Sequence, residues 1–113
     1  MDIQSLLLSG YSLSDIKELL ALFKVNLNEA KKVITRNNEK QTKLTIHKIK
    51  GGLIMLEFKY LLDSCCSIED KIRVYGVKPY PRLINSFLNE CISESTSASK
   101  NLDILISNDD INS

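Results

Sequence analysis

The strongest constraint on the fold of this 113-residue chain is a spacing. From Ser12 to about Asn37 the apolar residues Ile16, Leu20, Phe23, Leu27, Ala30 and Ile34 recur at intervals of four, three, four, three and four. Positions three and four apart share one face of an α-helix, so the six form a single stripe and predict one helix of about seven turns. Ser12 is placed to cap its start, Asp15 complements the positive end of the helix dipole, and Asn37-Asn38 marks its end. The chain holds only four Gly and two Pro, too few turn residues for a meander or sandwich of strands. An all-α domain is expected.

The same periodicity returns three times more. Ile46, Ile49, Leu53 and Leu56 predict a second helix over about 39–56, and Phe58, Leu61, Leu62, Cys65, Ile68 and Ile72 a third that ends near Tyr75, before Gly76, Pro79 and Pro81. Pro81 suits the first turn of a fourth helix with the stripe Ile84, Phe87, Leu88 and Cys91, which is expected to fade in the Ser/Thr-rich stretch 93–99. Ile3, Leu6 and Leu7 suggest a short helix over 1–10 that closes one end. The expected architecture is an antiparallel, up-down-up-down four-helix bundle with a short N-terminal capping helix, spanning 1–98, followed by a tail over 99–113 whose apolar stretch Leu102–Ile106 either docks or frays.

Composition excludes several classes. A hydrophobic fraction of 43% with 26% charged residues is that of a globular domain able to bury a core without disulfide or metal staples. The net charge of +1 argues against nucleic-acid binding, which asks for an excess of Lys and Arg over one face. Three cysteines, Cys65, Cys66 and Cys91, with two adjacent and no secretory leader, point to packing in a reducing, cytoplasmic setting. The run Leu6-Leu7-Leu8 is far below the roughly 18 residues that span a bilayer, so no membrane contact is expected. Gly51-Gly52 lies within a helical pattern and not after a strand, so no nucleotide cradle and no ATP-using enzyme are predicted.

One constellation stands out, the run His47-Lys48-Ile49-Lys50-Gly51. Lys40, Lys43, His47 and Lys50 form a line beside the core stripe Ile46/Ile49/Leu53, which turns the imidazole outward among ammonium groups. Between positions 31 and 50 there are seven basic residues and one acid, Glu39, a local charge of +6 that the near-neutral whole conceals. Gly51, one turn after His47, costs about 1 kcal/mol relative to alanine in a helix interior and so asks for a reason. Its missing side chain leaves an approach open to a partner. Reversible phosphorylation of the imidazole fits these residues, because neutral imidazole is a nucleophile and the N-phosphoryl charge can be offset by an ammonium group such as Lys50.

In this motif the chain resembles the histidine-containing phosphotransfer (HPt) domain family. The His-x-x-Lys-Gly motif stands as His47-Lys48-Ile49-Lys50-Gly51, after a long amphipathic helix with an internal Phe, Phe23. The family's Leu-x-x-Cys-x-x-Leu-Glu pattern is similar to Leu62-Asp63-Ser64-Cys65-Cys66-Ser67-Ile68-Glu69. The resemblance implies His47 as phosphoacceptor, Lys50 as phosphate stabiliser, Gly51 as the point of partner access and Lys43 and Lys40 as a docking face. It further implies that Glu69 orients the imidazole through Nδ1 and leaves Nε2 to be phosphorylated. The implied role is a monomeric phosphorelay intermediate that takes phosphate from a receiver-domain aspartate and passes it to a response regulator. It would bind no cofactor of its own, the Mg²⁺ belonging to the receiver. The polar tail favours a segment from the C-terminal end of a membrane-bound hybrid sensor kinase over a free-standing protein.

Three positions depart from the family's usual pattern. Where members often have small residues after the Lys-Gly pair and a glycine near the next turn, this chain has Gly52, Leu53 and Glu57, so bulkier packing at Leu53 and an altered turn are expected there. Two competing uses of the histidine fit less well. Zinc binding by Cys65, Cys66, Cys91 and His47 fails because adjacent cysteines on a helix diverge by about 100° and no Cys-x-x-Cys pair exists. A sensor-kinase dimerisation helix normally places an acid after the His, where this chain has Lys48. The alternative of another class is a helical interaction domain that docks a partner through its basic face without phosphoryl transfer.

Overall fold

The computed structural model describes residues 1–35 and 38–112. Among them there are five helices and no strand: α1 Ile3–Leu8, α2 Leu13–Thr35, α3 Glu39–Met55, α4 Lys59–Tyr75 and α5 Pro81–Asn112. No helix is long and apolar enough among these residues to cross a membrane. Packing runs in a cycle, α2 on α3, α3 on α4, α4 on α5 and α5 back on α2, with α1 set against α2. The molecule is elongated, 53 × 23 × 17 Å.

The stripes read from the sequence are the core. Ile16, Leu20, Phe23, Leu27 and Ala30 of α2, Ile46, Ile49 and Leu53 of α3, and Leu61, Cys65, Ile68 and Ile72 of α4 are all buried, as are Ile84, Phe87, Leu88 and Cys91 of α5. Ile34 packs on them from a partly buried position. Helix α2 begins as expected: Ser12 Oγ accepts the Asp15 backbone N–H at 3.0 Å, while the Ser12 N–H donates to the Asp15 carboxylate at 2.9 Å. This reciprocal pair satisfies two otherwise orphaned donors of the first turn. Asn38 is the N-cap of α3, its side chain accepting the Gln41 N–H; Asn37, the other half of the expected stop, lies outside the described residues.

Two features differ from the sequence reading. Helix α5 does not fade in 93–99 but continues to Asn112. Ser95, Ala98 and Leu102 prolong its buried stripe, and Asp103 pairs with Lys17 of α2 at 2.9 Å. Small residues at 95 and 98 present little surface to a hydropathy pattern, yet they occupy core-facing positions. The α3–α4 turn closes without a glycine. Glu57 takes the left-handed conformation there, φ 56°, and the Phe58 N–H donates to the Leu53 carbonyl at 3.0 Å, the long-range bond of a glycine-type helix stop. The Glu57 carboxylate accepts a hydrogen bond from Ser5 Oγ at 3.1 Å, which ties α1 to this turn.

Candidate functional site

His47 stands at the midpoint of α3 on the ridge between two grooves. Its neighbours Ile46 and Ile49 are buried and fix the rotation of the helix, so a residue one step beyond Ile46 must emerge. The imidazole is 73% exposed. Across the α3–α4 interface, Glu69 comes from the same face of α4 as Cys65, one turn earlier. The Cys65 thiol lies 3.7 Å from the Ile46 carbonyl oxygen and donates to it, which sets the register of α4 against α3 beside the histidine.

That register brings three of the predicted site residues together. His47 Nδ1 lies 3.6 Å from Glu69 Oε2, an ion-pair approach slightly longer than a hydrogen bond. Lys50 Nζ lies 3.7 Å from the other carboxylate oxygen. Glu69 is only 26% exposed, and its Oε1 is shielded from solvent without a hydrogen-bond donor among the described residues. One half-buried carboxylate is therefore shared between an imidazole and an ammonium group. The side of the ring that faces Glu69 is Nδ1.

The remaining predicted residues are arranged less tightly. A Cβ added to Gly51 would meet nothing within 4 Å, so the surface beside His47 is bare at that point. Lys43 lines the α3–α4 groove of about 250 Å³ together with Ile46, Glu69, Asp70, Ile72 and Arg73, and its ammonium lies 4.0 Å from Glu39. Lys40 is exposed in the first turn of α3. On the other flank a groove of about 340 Å³ between α2 and α3 is lined by Leu22, Phe23, Thr45, Lys48, Gly52 and Met55, among others.

The sequence reading underrated Gly52. A Cβ there would lie 2.5 and 2.6 Å from two carbons of the Phe23 ring, which is itself stacked on Phe58 with centroids 6.0 Å apart. Of the two adjacent glycines, the second admits the core and the first opens the surface. Asp70 and Arg73, which pair with each other at 3.3 Å on the groove's rim, were also not singled out; their only signal is that they follow Glu69 by one and four positions. The cysteines do not gather with the histidine: Cys65 and Cys91 are buried, and burial pushes both thiols up to about 12.

Comparison with protein-family models, with curated proteins and with solved structures finds no match to this chain.

Proposed function

We propose that this protein is a histidine phosphotransfer domain of a phosphorelay, with His47 as the group that carries the phosphate. The observation that carries the reading is the arrangement of His47, Glu69 and Lys50: an exposed imidazole with a carboxylate at Nδ1, an ammonium one turn away and open space over Gly51. The reading includes an antiparallel up-down-up-down bundle capped by α1. Links of three, three and five residues between α2, α3, α4 and α5 support it.

The chemistry follows from the tautomer. A carboxylate at Nδ1 favours the proton on that nitrogen and leaves the Nε2 lone pair free. Nε2 attacks the phosphorus of an aspartyl phosphate in line, the N–P bond forms, and the acyl O–P bond breaks to return the partner's carboxylate. The proton stays on Nδ1, and the cationic ring that results faces the Glu69 carboxylate. Lys50 turns from Glu69 to the phosphoryl oxygens, a charge-assisted contact. Transfer to a second receiver is the reverse sequence. Mg²⁺ and the acidic pocket belong to the receiver, so this chain supplies a positioned nucleophile and access to it. The proposed setting is cytoplasmic, and the proposed form is a monomer, free-standing or within a hybrid sensor kinase.

The test is incubation with aspartyl-phosphorylated receiver domains and Mg²⁺, following acid-labile, base-stable phosphate on the chain. Label on the wild type and none on His47→Gln is the expected outcome. Absence of label from the wild type across a panel of receivers, with undiminished binding by His47→Gln, would favour the interaction-domain reading instead.

A further inference from the structure

The net charge of +1 is the balance of two basic segments and an acidic remainder. Residues 31–50 hold +6, and residues 70–82, with four basic residues and one acid, hold +3; the rest of the chain therefore carries −8. Folding brings the described parts of these two basic segments to one end. Glu39, the first residue of α3, accepts the Val77 N–H of the α4–α5 link at 3.0 Å, and Lys43 and Arg73 line the same α3–α4 groove. The opposite end is marked by the Ser5–Glu57 and Lys17–Asp103 contacts. An elongated body with one basic end acts as a dipole.

We infer that this basic end, centred on the α4–α5 corner with Lys71, Arg73, Lys78 and Arg82, is a steering and docking surface for a compact acidic protein domain. The identity of that domain as a receiver rests on the phosphorelay reading above. Lys71, Lys78 and Arg82 are exposed, and Val74 and Tyr75 beside them are 64% and 68% exposed, an apolar anchor inside a cationic frame. The corner is separated from His47 by the eight residues of α3 after Glu39, about 12 Å of helix. It is therefore outside the reacting groups but within their electrostatic reach, since the Debye length is about 30 Å at 0.01 M salt and about 8 Å at 0.15 M. Charge asymmetry of this kind raises association rates by about 10- to 1,000-fold and orients the encounter.

A compact protein fits better than a polyanion. Glu39 and Asp70 stand among the cations and repel a continuous row of phosphates, and a nucleic acid or bilayer large enough to extend past the basic end meets the acidic remainder of the chain. A single acidic domain meets the basic end alone, with its own mixed charges set against the carboxylates there.

The experiment measures stopped-flow association of fluorescently labelled receiver domains of net negative charge with the full chain and with His47→Gln, at 20 and 200 mM salt. Parallel measurements follow phosphate transfer to the wild type. The expected result is a fall of about tenfold or more in association rate across this salt range. The double variant Lys78→Glu/Arg82→Glu should be about tenfold slower at 20 mM with an unchanged transfer rate at saturating partner, and Glu94→Lys, at an exposed site outside the basic segments, should stay within about twofold of the wild type. Salt-dependent association without transfer would leave the surface standing and overturn the relay. Transfer accompanied by an association rate indifferent to salt and to Lys78→Glu/Arg82→Glu would overturn the surface and leave the relay. Failure of every receiver to bind would overturn both, and tighter retention of duplex DNA or of phosphatidylserine vesicles than of any receiver would overturn the protein partner.

Discussion

Gly52 and the Phe23 ring occupy complementary space: the carbon that any other residue would place on Gly52 falls 2.5 Å from the ring, whereas the same carbon on Gly51 falls in the open. Phe23 cannot withdraw easily, because it is buried and stacked on Phe58. The two adjacent glycines therefore respond oppositely to the same substitution. Gly52→Ala overpacks the α2–α3 contact and is expected to cost about 1–3 kcal/mol. Gly51→Ala removes backbone freedom from a helix interior without a clash and is expected to gain about 0.5–1 kcal/mol. Thermal unfolding followed by circular dichroism separates them; a stable Gly52→Ala would contradict the tight contact. For the function, a long side chain at the neutral site, Gly51→Gln, is expected to leave the melting temperature close to the wild type while lowering phosphate transfer severalfold.

Glu69 should decide which imidazole nitrogen carries the proton. With its carboxylate 3.6 Å from Nδ1, neutral His47 is expected to be mainly the Nδ1–H form, and Glu69→Ala should return it toward the Nε2–H form preferred by a free imidazole. Long-range ¹H–¹⁵N correlation spectra report the tautomer directly. Because Glu69 is a positioning residue, transfer to His47 should fall about 10- to 100-fold in Glu69→Ala and recover in part in Glu69→Gln, whose amide oxygen can still accept from Nδ1. An unchanged tautomer in Glu69→Ala would remove this role.

The buried thiols predict both reactivity and pH dependence. Burial holds Cys65 and Cys91 up at about 12, against 9.0 for a free thiol, so neither offers thiolate at pH 8. A thiol reagent should modify the native protein at Cys66 alone and reach the other two only on unfolding. Since the unfolded thiols ionise near 9 and the folded ones near 12, the unfolded chain loses protons first as pH rises. The stability that these two thiols contribute is fully present below pH 9 and is lost progressively between 9 and 12. Urea titrations at pH 8 and pH 10.5 should show the fall, and Cys65→Ala/Cys91→Ala should abolish that part of it.

Leu102 tests how far the packed unit extends. It is fully buried although it lies beyond the Ser/Thr-rich stretch, so Leu102→Ala is expected to cost about 2–5 kcal/mol, the range for a buried leucine. Removal of 99–113 should cost at least as much, seen as a lower denaturation midpoint. A truncated chain as stable as the whole would show that α5 contributes nothing past Ala98.

The sequence by itself determined the helices. Apolar residues three and four apart can be buried together only on a helix, so Ile16 to Ala30, Ile46 to Leu53 and Leu61 to Ile72 announce both the elements and their inward faces, and Gly76 with Pro81 announces the break. The outward direction of His47 was legible for the same reason, being one residue past a core position. What lay between helices was not legible in this way. The distinct duties of Gly51 and Gly52 depend on where Phe23 of another helix falls, and the course of α5 past Ser93 depends on a partner surface that accepts Ser95 and Ala98. The meeting of Lys50, Glu69 and His47 rests on the register set between Cys65 and the Ile46 carbonyl. Periodicity fixes which face of a helix turns inward, because that is a property of one segment and its solvent. Register and charge polarity arise only when segments far apart in sequence are packed together, so the tertiary structure alone decided them.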